Sequence, residues 1–362
     1  MNKIGVLHLV DSLASGGAEH VAVMLANNLP QERYRSYLCA SRQAGPLQSQ
    51  IQPHVTFYDL RRKGNFDFFA IMRLEKLTQR EHISIIHAHT TSLFLGTMIT
   101  LLNPSLKLVW HDHFGEQEMK ARPVYLYLPF ARRAKAIFTV TRELARWSVL
   151  SFGLPKERVL YLPNFVEAQQ PSSVSLDLPG LPGKRMICVA NIRAQKDHLT
   201  LLRALAQVIK VEPQAHLLLV GAETDPHLAE QVRQESQRLG LDSNLTWLGP
   251  REDVPLILTN CEIGVLSSIS EGFPVVLLEY GQAGLAVVST LVGECAEILE
   301  EGEAGILVPP SNPDSLATGL FRLLKSPALR TQLGERLNER IKQNYSAETI
   351  VHQVCQVYEQ IL

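Results

Sequence analysis

Two carboxylates, Glu271 and Glu279, bracket the segment Glu271-Gly272-Phe273-Pro274-Val275-Val276-Leu277-Leu278-Glu279. The apolar run Ile263-Gly264-Val265-Leu266 precedes it, followed by Ser267 and Ser268. This order reads as a buried strand, a tight Gly-Phe-Pro loop and a new helix. One acid then sits in the loop at the strand's C-terminal end, and the other a turn or more into the helix. Ligands of parallel α/β sheets bind at that edge. An ionised carboxylate accepts hydrogen bonds from neighbouring hydroxyls, as on a sugar or a ribose. The helix start offers free N–H groups and a positive dipole end to a phosphate. Sugar, phosphate and ribose together make a nucleotide sugar. Two glutamates at this spacing also arise by chance on solvated faces, so the rest of the chain must decide.

Further along the same line of chemistry, an apolar run over 186–190 enters Asn191-Ile192-Arg193-Ala194-Gln195-Lys196-Asp197. Arg193 binds phosphate oxygens in a fork, and Lys196 adds a compact point charge. Together they suit a diphosphate leaving group; alone they are a solvated loop pair. The run 106–110 leads into His111-Asp112-His113. His111 and His113 are expected on one face and Asp112 on the other. A histidine at a strand's end polarises a substrate or moves a proton, although a satisfied structural histidine is equally common. A zinc reading needs a third ligand, and none stands at a suitable spacing. Ser15-Gly16-Gly17-Ala18-Glu19 follows the first strand, where two glycines let the backbone approach a ligand or merely turn. It is not a dinucleotide fingerprint, because the glycine spacing is wrong. Asn164 follows Pro163 at the end of the first half and reads as a turn residue.

These groups need a scaffold. Short apolar runs at 4–10, 83–87, 106–110, 136–140 and 159–162 predict strands in the first half. Runs at 186–190, 216–220, 245–248, 263–266, 286–289 and 306–308 predict strands in the second half. Helical patterns over 18–29, 199–211, 227–239 and 314–324 alternate with them, which predicts parallel sheets covered by helices. The stretch 167–183, EAQQPSSVSLDLPGLPG, has no periodicity and reads as a linker. Two α/β domains, 1–166 and 184–344, would flank it and face a cleft. The amphipathic segment 345–362 needs a docking site, by default on the nearer domain.

Composition excludes several classes. At 362 residues the chain is long enough for two cores. With 46% hydrophobic residues and 20% charged residues, the chain can bury sizeable cores, which argues against disorder. A net charge of -1 gives no basic excess for nucleic acid. The cysteines, Cys39, Cys188, Cys261, Cys295 and Cys355, are scattered and odd in number, which fits a reducing cytosol and neither a disulfide framework nor a zinc ribbon. The first apolar run is broken by Asp11, so it is too short for a signal peptide, and no run spans a membrane. Between 121 and 147, Arg122, Arg132, Arg133, Lys135, Arg142 and Arg146 interleave with Tyr125, Tyr127, Phe130 and Trp147. A helix of that kind lies on an anionic membrane surface or is an ordinary solvated face.

Nearly the whole chain resembles the retaining nucleotide-sugar glycosyltransferases of the GT-B fold, family-four type. The strongest stretch is 265–281, where Ser268, Glu271-Gly272-Phe273-Pro274 and Glu279 match the E-x7-E motif and its leading serine. Supporting matches are Ser15 to Glu19, His111-Asp112-His113, Pro163-Asn164, the Arg193/Lys196 loop and Gly305-Ile306-Leu307-Val308-Pro309. The resemblance implies that Glu279 holds the donor ribose and Glu271 the transferred sugar, with backbone N–H groups near Phe273. It gives Arg193 and Lys196 to the leaving diphosphate, and His113 to the sugar near its reacting carbon, with His111 as the fallback. Gly16 and Gly17 would approach donor phosphate and acceptor. The last helix would cross back onto the first domain.

The same resemblance implies no essential metal or other cofactor, a UDP- or GDP-sugar donor and a saccharide or lipid-linked acceptor. The expected place is the cytoplasm, at the inner face of the membrane if 121–147 touches it. The chain departs from the family pattern at three places. Asn191 stands where relatives carry Gly-Arg, with the arginine two positions earlier. Phe165 replaces the glycine of Pro-Asn-Gly, and Asp197 replaces the glycine after the lysine. A nucleotide-sugar epimerase and a non-catalytic sugar-nucleotide-binding partner are the competing readings.

Overall fold

The computed structural model describes residues 3–14, 16–64, 67–115, 119, 121–167 and 176–362. The chain forms two compact units, Met1–Glu167 with Ala347–Leu362, and Ala168–Ser346.

The first unit holds β1 (Ile4–Ser12), β2 (Tyr34–Gln43), β3 (Thr56–Asp59), β4 (Ile83–His89), β5 (Lys107–Asp112), β6 (Ala136–Thr139) and β7 (Val159–Tyr161). They form one sheet in the order β3-β2-β1-β4-β5-β6-β7, with every pair parallel. Parallel strands need covered faces, and the alternating side chains supply two cores. Leu7, Leu9, Ile86 and Trp110 pack with Leu74 and Ile99 of helices Phe68–Arg80 and Leu93–Leu102. Val6, Ile85, Val109 and Phe138 pack on the other face. There they meet Leu25 of helix Gly17–Asn28 and Ile350, Val354 and Tyr358 of helix Ala347–Ile361. Burying each such side chain stabilises by about 1.5–3 kcal/mol, which accounts for the return of the last helix to this unit.

The second unit holds β8 (Arg185–Val189), β9 (His216–Val220), β10 (Leu245–Gly249), β11 (Ile263–Leu266), β12 (Ala286–Thr290) and β13 (Ile306–Val308). Its parallel order is β10-β9-β8-β11-β12-β13. In both units the winding reverses beside the first strand, at β1/β4 and at β8/β11, which is where ligands bind in such sheets. Helices start where side chains cap them. Asp67, Thr141, Asp225, Asn312 and Ser326 each accept from a backbone N–H three residues on, and Pro226, Pro313 and Pro327 follow three of the caps.

Three features differ from the sequence expectation. β2 and β3 are absent from the predicted runs. Arg35, Ser36 and Ser41 interrupt the apolar pattern of β2, yet Ser36 is buried because its hydroxyl donates to the Ala26 carbonyl at 2.7 Å. The stretch 121–147 is not one helix, since β6 divides helices Val124–Ala131 and Arg142–Phe152. Its Arg122 is buried and forks onto Asp112 at 2.6 and 2.9 Å, with Phe114, Tyr127 and Trp147 rings around it. In the expected linker, residues 168–175 lie outside the described residues, but 176–183 is pinned to the second unit. The buried Arg185 guanidinium donates to the carbonyls of Leu178, Pro179 and Gly180.

Candidate functional site

The crevice of the second unit is built by two loops. One leaves β8 and carries Asn191, Arg193 and Lys196; the other leaves β11 and carries Ser268, Glu271, Gly272 and Phe273. The loops are tied together, because Ser267 donates its hydroxyl to the Lys196 carbonyl at 2.8 Å and the Ile269 N–H donates to the Gln195 carbonyl at 2.8 Å. The tie brings the two chemistries into contact. Lys196 Nζ lies 2.5 Å from Glu271 Oε1, which also accepts the Ser268 hydroxyl at 2.6 Å. The Glu271 side chain is only 8% exposed, so this charge is held by its partners rather than by water. Gly293 packs behind the loop with φ 50°, and a Cβ there would overlap the Glu271 and Gly272 carbonyl oxygens. Phe273 is buried against Tyr345, and Pro274 precedes helix Val275–Gln282.

Glu279 lies on that helix. Burial raises its carboxyl above the ordinary range. Among the described residues it has no hydrogen-bond or ion-pair partner, unlike Glu271. A partly covered carboxylate left unpaired is a group waiting for donors such as ribose hydroxyls.

The sequence reading missed what fixes Glu279. Its neighbour Tyr280 is fully buried, accepts from the Val189 N–H at 2.9 Å and lies within 3.4 Å of the Val265 and Ile187 carbonyls. Its ring lies over Gly264, where any Cβ would collide with it. A glycine in the middle of a buried strand was the available signal for such a close approach.

The β8 loop is anchored differently. The Asn191 side-chain oxygen accepts from the Ala222 N–H at 2.8 Å, tying this loop to the one after β9. Arg193 is exposed, with Nε 3.4 Å from the Thr224 hydroxyl. Asp197 takes φ 45°, in the left-handed region that a glycine enters without strain. Its carboxylate compensates by capping helix His198–Val211 at the Thr200 N–H, 3.2 Å away.

In the first unit, His111 and His113 do share one face, with rings 4.0 Å apart, and Asp112 turns to the other face toward Arg122. They belong to a larger group. His8 from β1 and His87 and His89 from β4 lie beside them across the β1/β4 reversal. His8 Nδ1 is 3.3 Å from His89 Nε2, and His89 Nδ1 is 3.1 Å from His113 Nε2. Burial pushes His8 and His113 down to about 3 and lowers His87, His89 and His111 well below their usual value. All five imidazoles are therefore neutral near pH 7. The third imidazole that chain spacing does not reveal is His89, which comes from the neighbouring strand. His8/His87/His89 and His89/His111/His113 are geometrically able to share a metal ion. Their hydrogen bonds to one another already use part of that donor set.

Gly16 precedes and Gly17 opens helix Gly17–Asn28 beside β1, and Ser15 lies outside the described residues. Asn164 is buried, and its side-chain oxygen has no partner among the described residues.

Comparison with known proteins gives this geometry a family. Residues 15–170 match Glycosyltransferase Family 4, and residues 180–340 match Glycosyl transferases group 1. The chain belongs to the GT-B glycosyltransferases of the family-four type. It is 28% identical to an exopolysaccharide phosphotransferase of Streptomyces coelicolor over 75% of its own length, but spans only 28% of that protein. It is 23% identical to the N-acetyl-alpha-D-glucosaminyl L-malate synthase of Bacillus anthracis, covering 96% of this chain and 94% of that one. The fold is that of Anabaena HepE, solved in complex with UDP, with a TM-score of 0.81 at 19% identity over 99% of this chain and 100% of that one. The same Anabaena protein has been solved with UDP-glucose. A glycosyltransferase acting in glycoconjugate synthesis is thus established at the level of the family. No helix among the described residues is long and apolar enough to cross a membrane.

Proposed function

We propose that the chain transfers a glycosyl group from a nucleotide-sugar donor to a saccharide or lipid-linked acceptor, with retention of anomeric configuration and without an essential metal. The observation that supports it best is the Lys196–Glu271–Ser268 cluster at the β8/β11 reversal, with the partly covered Glu279 on the helix that follows. Glu279 receives the ribose hydroxyls and Glu271 the hydroxyls of the transferred sugar. Lys196 and Arg193 neutralise the diphosphate as its charge develops, the work a divalent cation does elsewhere. Gly272, Phe273 and Pro274 shape the turn that presents backbone N–H groups. From the first unit, His113 serves the sugar, and Gly16 and Gly17 the phosphate and the acceptor.

In the transfer, the bond from the anomeric carbon to the diphosphate oxygen breaks and a bond to the acceptor oxygen forms on the same face. The acceptor proton goes to the departing phosphate oxygen. UDP-glucose is the first donor to test, because the Anabaena relative was solved with it. GDP-mannose is the second. NMR of the product linkage tests retention, and an inverted anomer refutes it. Activity that survives a chelator supports metal independence. Neither the epimerase nor the non-catalytic reading is favoured by any observation.

A further inference from the structure

The histidine group of the first unit offers more than one imidazole to a sugar. The two triads able to share an ion consist of histidines alone, with no carboxylate in either. Asp112, the acid between His111 and His113, is engaged by Arg122 on the opposite face. A set of imidazole donors without oxygen ligands suits Zn2+ and its transition-metal neighbours, whereas Mg2+ and Ca2+ call for oxygen.

The two triads are not equivalent. His8, His87 and His89 are all buried, and His87 Nδ1 is already 2.5 Å from the Tyr358 hydroxyl. The triad His89, His111 and His113 instead ends in a half-buried residue, His113, which leaves an approach for a hydrated ion and a position for a fourth ligand. Each of these three offers one ring nitrogen, and the three nitrogens lie within 4.8 Å of one another. His89 Nδ1 and His113 Nε2 are 3.1 Å apart. Two nitrogens bound to one tetrahedral Zn2+ at about 2.0–2.1 Å stand about 3.3 Å from each other, so an ion enters between them with small ring shifts. His111 supplies the third nitrogen, and both of its ring nitrogens are buried without a partner among the described residues. A buried polar atom that has lost water and gained no partner is costly, and an ion relieves it. The strands fix this arrangement, since His89 stands opposite His111 in the β4/β5 register.

The proton placement is consistent with an ion. His89 Nε2 lies 3.3 Å from His8 Nδ1. With its proton on Nε2, His89 donates to His8 and keeps the Nδ1 lone pair free. A ligating histidine is held in this way by the hydrogen bond of its other nitrogen. The His113 proton then sits on Nδ1, so one N–H···N contact gives way to two metal–nitrogen bonds and no proton leaves the rings. We propose that His89, His111 and His113 form a Zn2+ site in the first unit, with water as the fourth ligand and His8 as the positioning residue of His89. The ion is not needed for transfer and is separate from the charge that Lys196 and Arg193 supply. It inhibits, because it withdraws His113 from the sugar. Inhibition rests on the transferase reading above; the site itself does not.

The test uses the full chain, freed of metal by a chelator, with Co2+ as a spectroscopic probe beside Zn2+. One equivalent of Co2+ should give the visible bands of a tetrahedral site, removed by Zn2+ and untouched by excess Mg2+. Competition with a chromophoric chelator reads the Zn2+ affinity. His8→Phe should weaken it by about tenfold to a hundredfold. His111→Phe should cost more than that. His113→Gln, changed at the half-buried ligand, should match His111→Phe, so the result does not depend on the fold of one variant. His227→Gln, at an exposed histidine of the second unit, should bind as the natural protein does. Circular dichroism without metal checks that each variant is folded. No tetrahedral Co2+ spectrum, or equal Zn2+ affinity in all variants, means adventitious surface binding only and overturns the site. So does a loss caused by His87→Gln and not by His111→Phe, which would put the ion in the other triad. In a transfer assay Zn2+ should inhibit at concentrations near its Kd, and the chelator should reverse it. Zinc bound at the triad without inhibition would instead strike the role of His113 in the transferase reading.

Discussion

Lys196 Nζ and Glu271 Oε1 stand 2.5 Å apart, although 75 positions separate them in the chain. The group assigned to the diphosphate neutralises the group assigned to the sugar. The pair stores both charges at the crevice in a satisfied form and holds the two loops in register. On the proposed roles, donor binding would redistribute it, coupling the arrival of phosphate at Lys196 to the release of Glu271 oxygens for sugar hydroxyls.

Lys196→Ala should therefore do two things. Glu271 loses its charged partner, and the leaving group loses a cation. A lost charged hydrogen bond is worth about 1.5–3 kcal/mol, or about one to two decades in rate. Steady-state kinetics should show kcat falling by that much, and thermal denaturation a lower Tm. In a double-mutant cycle with Glu271→Gln, the two effects should be clearly non-additive.

Glu279→Gln should separate stability from function. The carboxyl of Glu279 is raised above its ordinary value of 4.5 by burial, so its charged form disfavours the fold at neutral pH. This penalty is absent below 4.5 and grows as pH rises through the raised value. The glutamine variant should melt higher than the natural protein at pH 7, with the gain vanishing in acid. Its donor affinity should fall by about one to two decades. Differential scanning calorimetry across pH, with and without donor, checks both halves.

The histidine group predicts acid sensitivity of the opposite sign. The five imidazoles titrate near 6.5 when unfolded and far lower when folded. The unfolded chain then binds more protons, so stability is full above 6.5 and falls as pH drops below it. Among the described residues His111 has no partner on either ring nitrogen, and His111→Phe should flatten that fall. His89→Asn should lower turnover without removing the donor-induced thermal shift, because His89 orients the His113 ring through Nδ1. Melting curves from pH 7 to pH 5 and a kcat/KM measurement test these points.

Tyr280 acts through position. Tyr280→Phe leaves the Val189 N–H unpaired, which costs about 1–3 kcal/mol. Donor KM should rise with the loosening of helix Val275–Gln282, while a conservative Glu279→Asp change shortens the reach without affecting Tm in the same way. Gly264→Ala should be worse than Tyr280→Phe, since its methyl meets the ring directly.

Much of this was legible in the chain because burial on both sheet faces forces continuous apolar runs. β9, β11 and β13 read directly from such runs. β2 did not, because Ser36 and Ser41 are satisfied by long-range partners, the Ala26 carbonyl and Asp11, that spacing cannot show. The acids of the crevice were legible because strand, turn and helix are contiguous around them. The Lys196–Glu271 contact and the histidine group were not, because each joins separate strands. Only the register of β4 against β5, with His89 opposite His111, brings His89 to the pair. Arg122 misled for the same reason, as its partner Asp112 turns away from the histidines.

Titration calorimetry of UDP-glucose, with GDP-mannose in parallel, into the natural protein, Lys196→Ala and Glu279→Ala is the most direct measurement. Saturable binding by the natural protein, weakened by about one to two decades in both variants, is the predicted result. Equal affinity in all three proteins, or no binding of either sugar nucleotide, would contradict a donor site at the β8/β11 crevice.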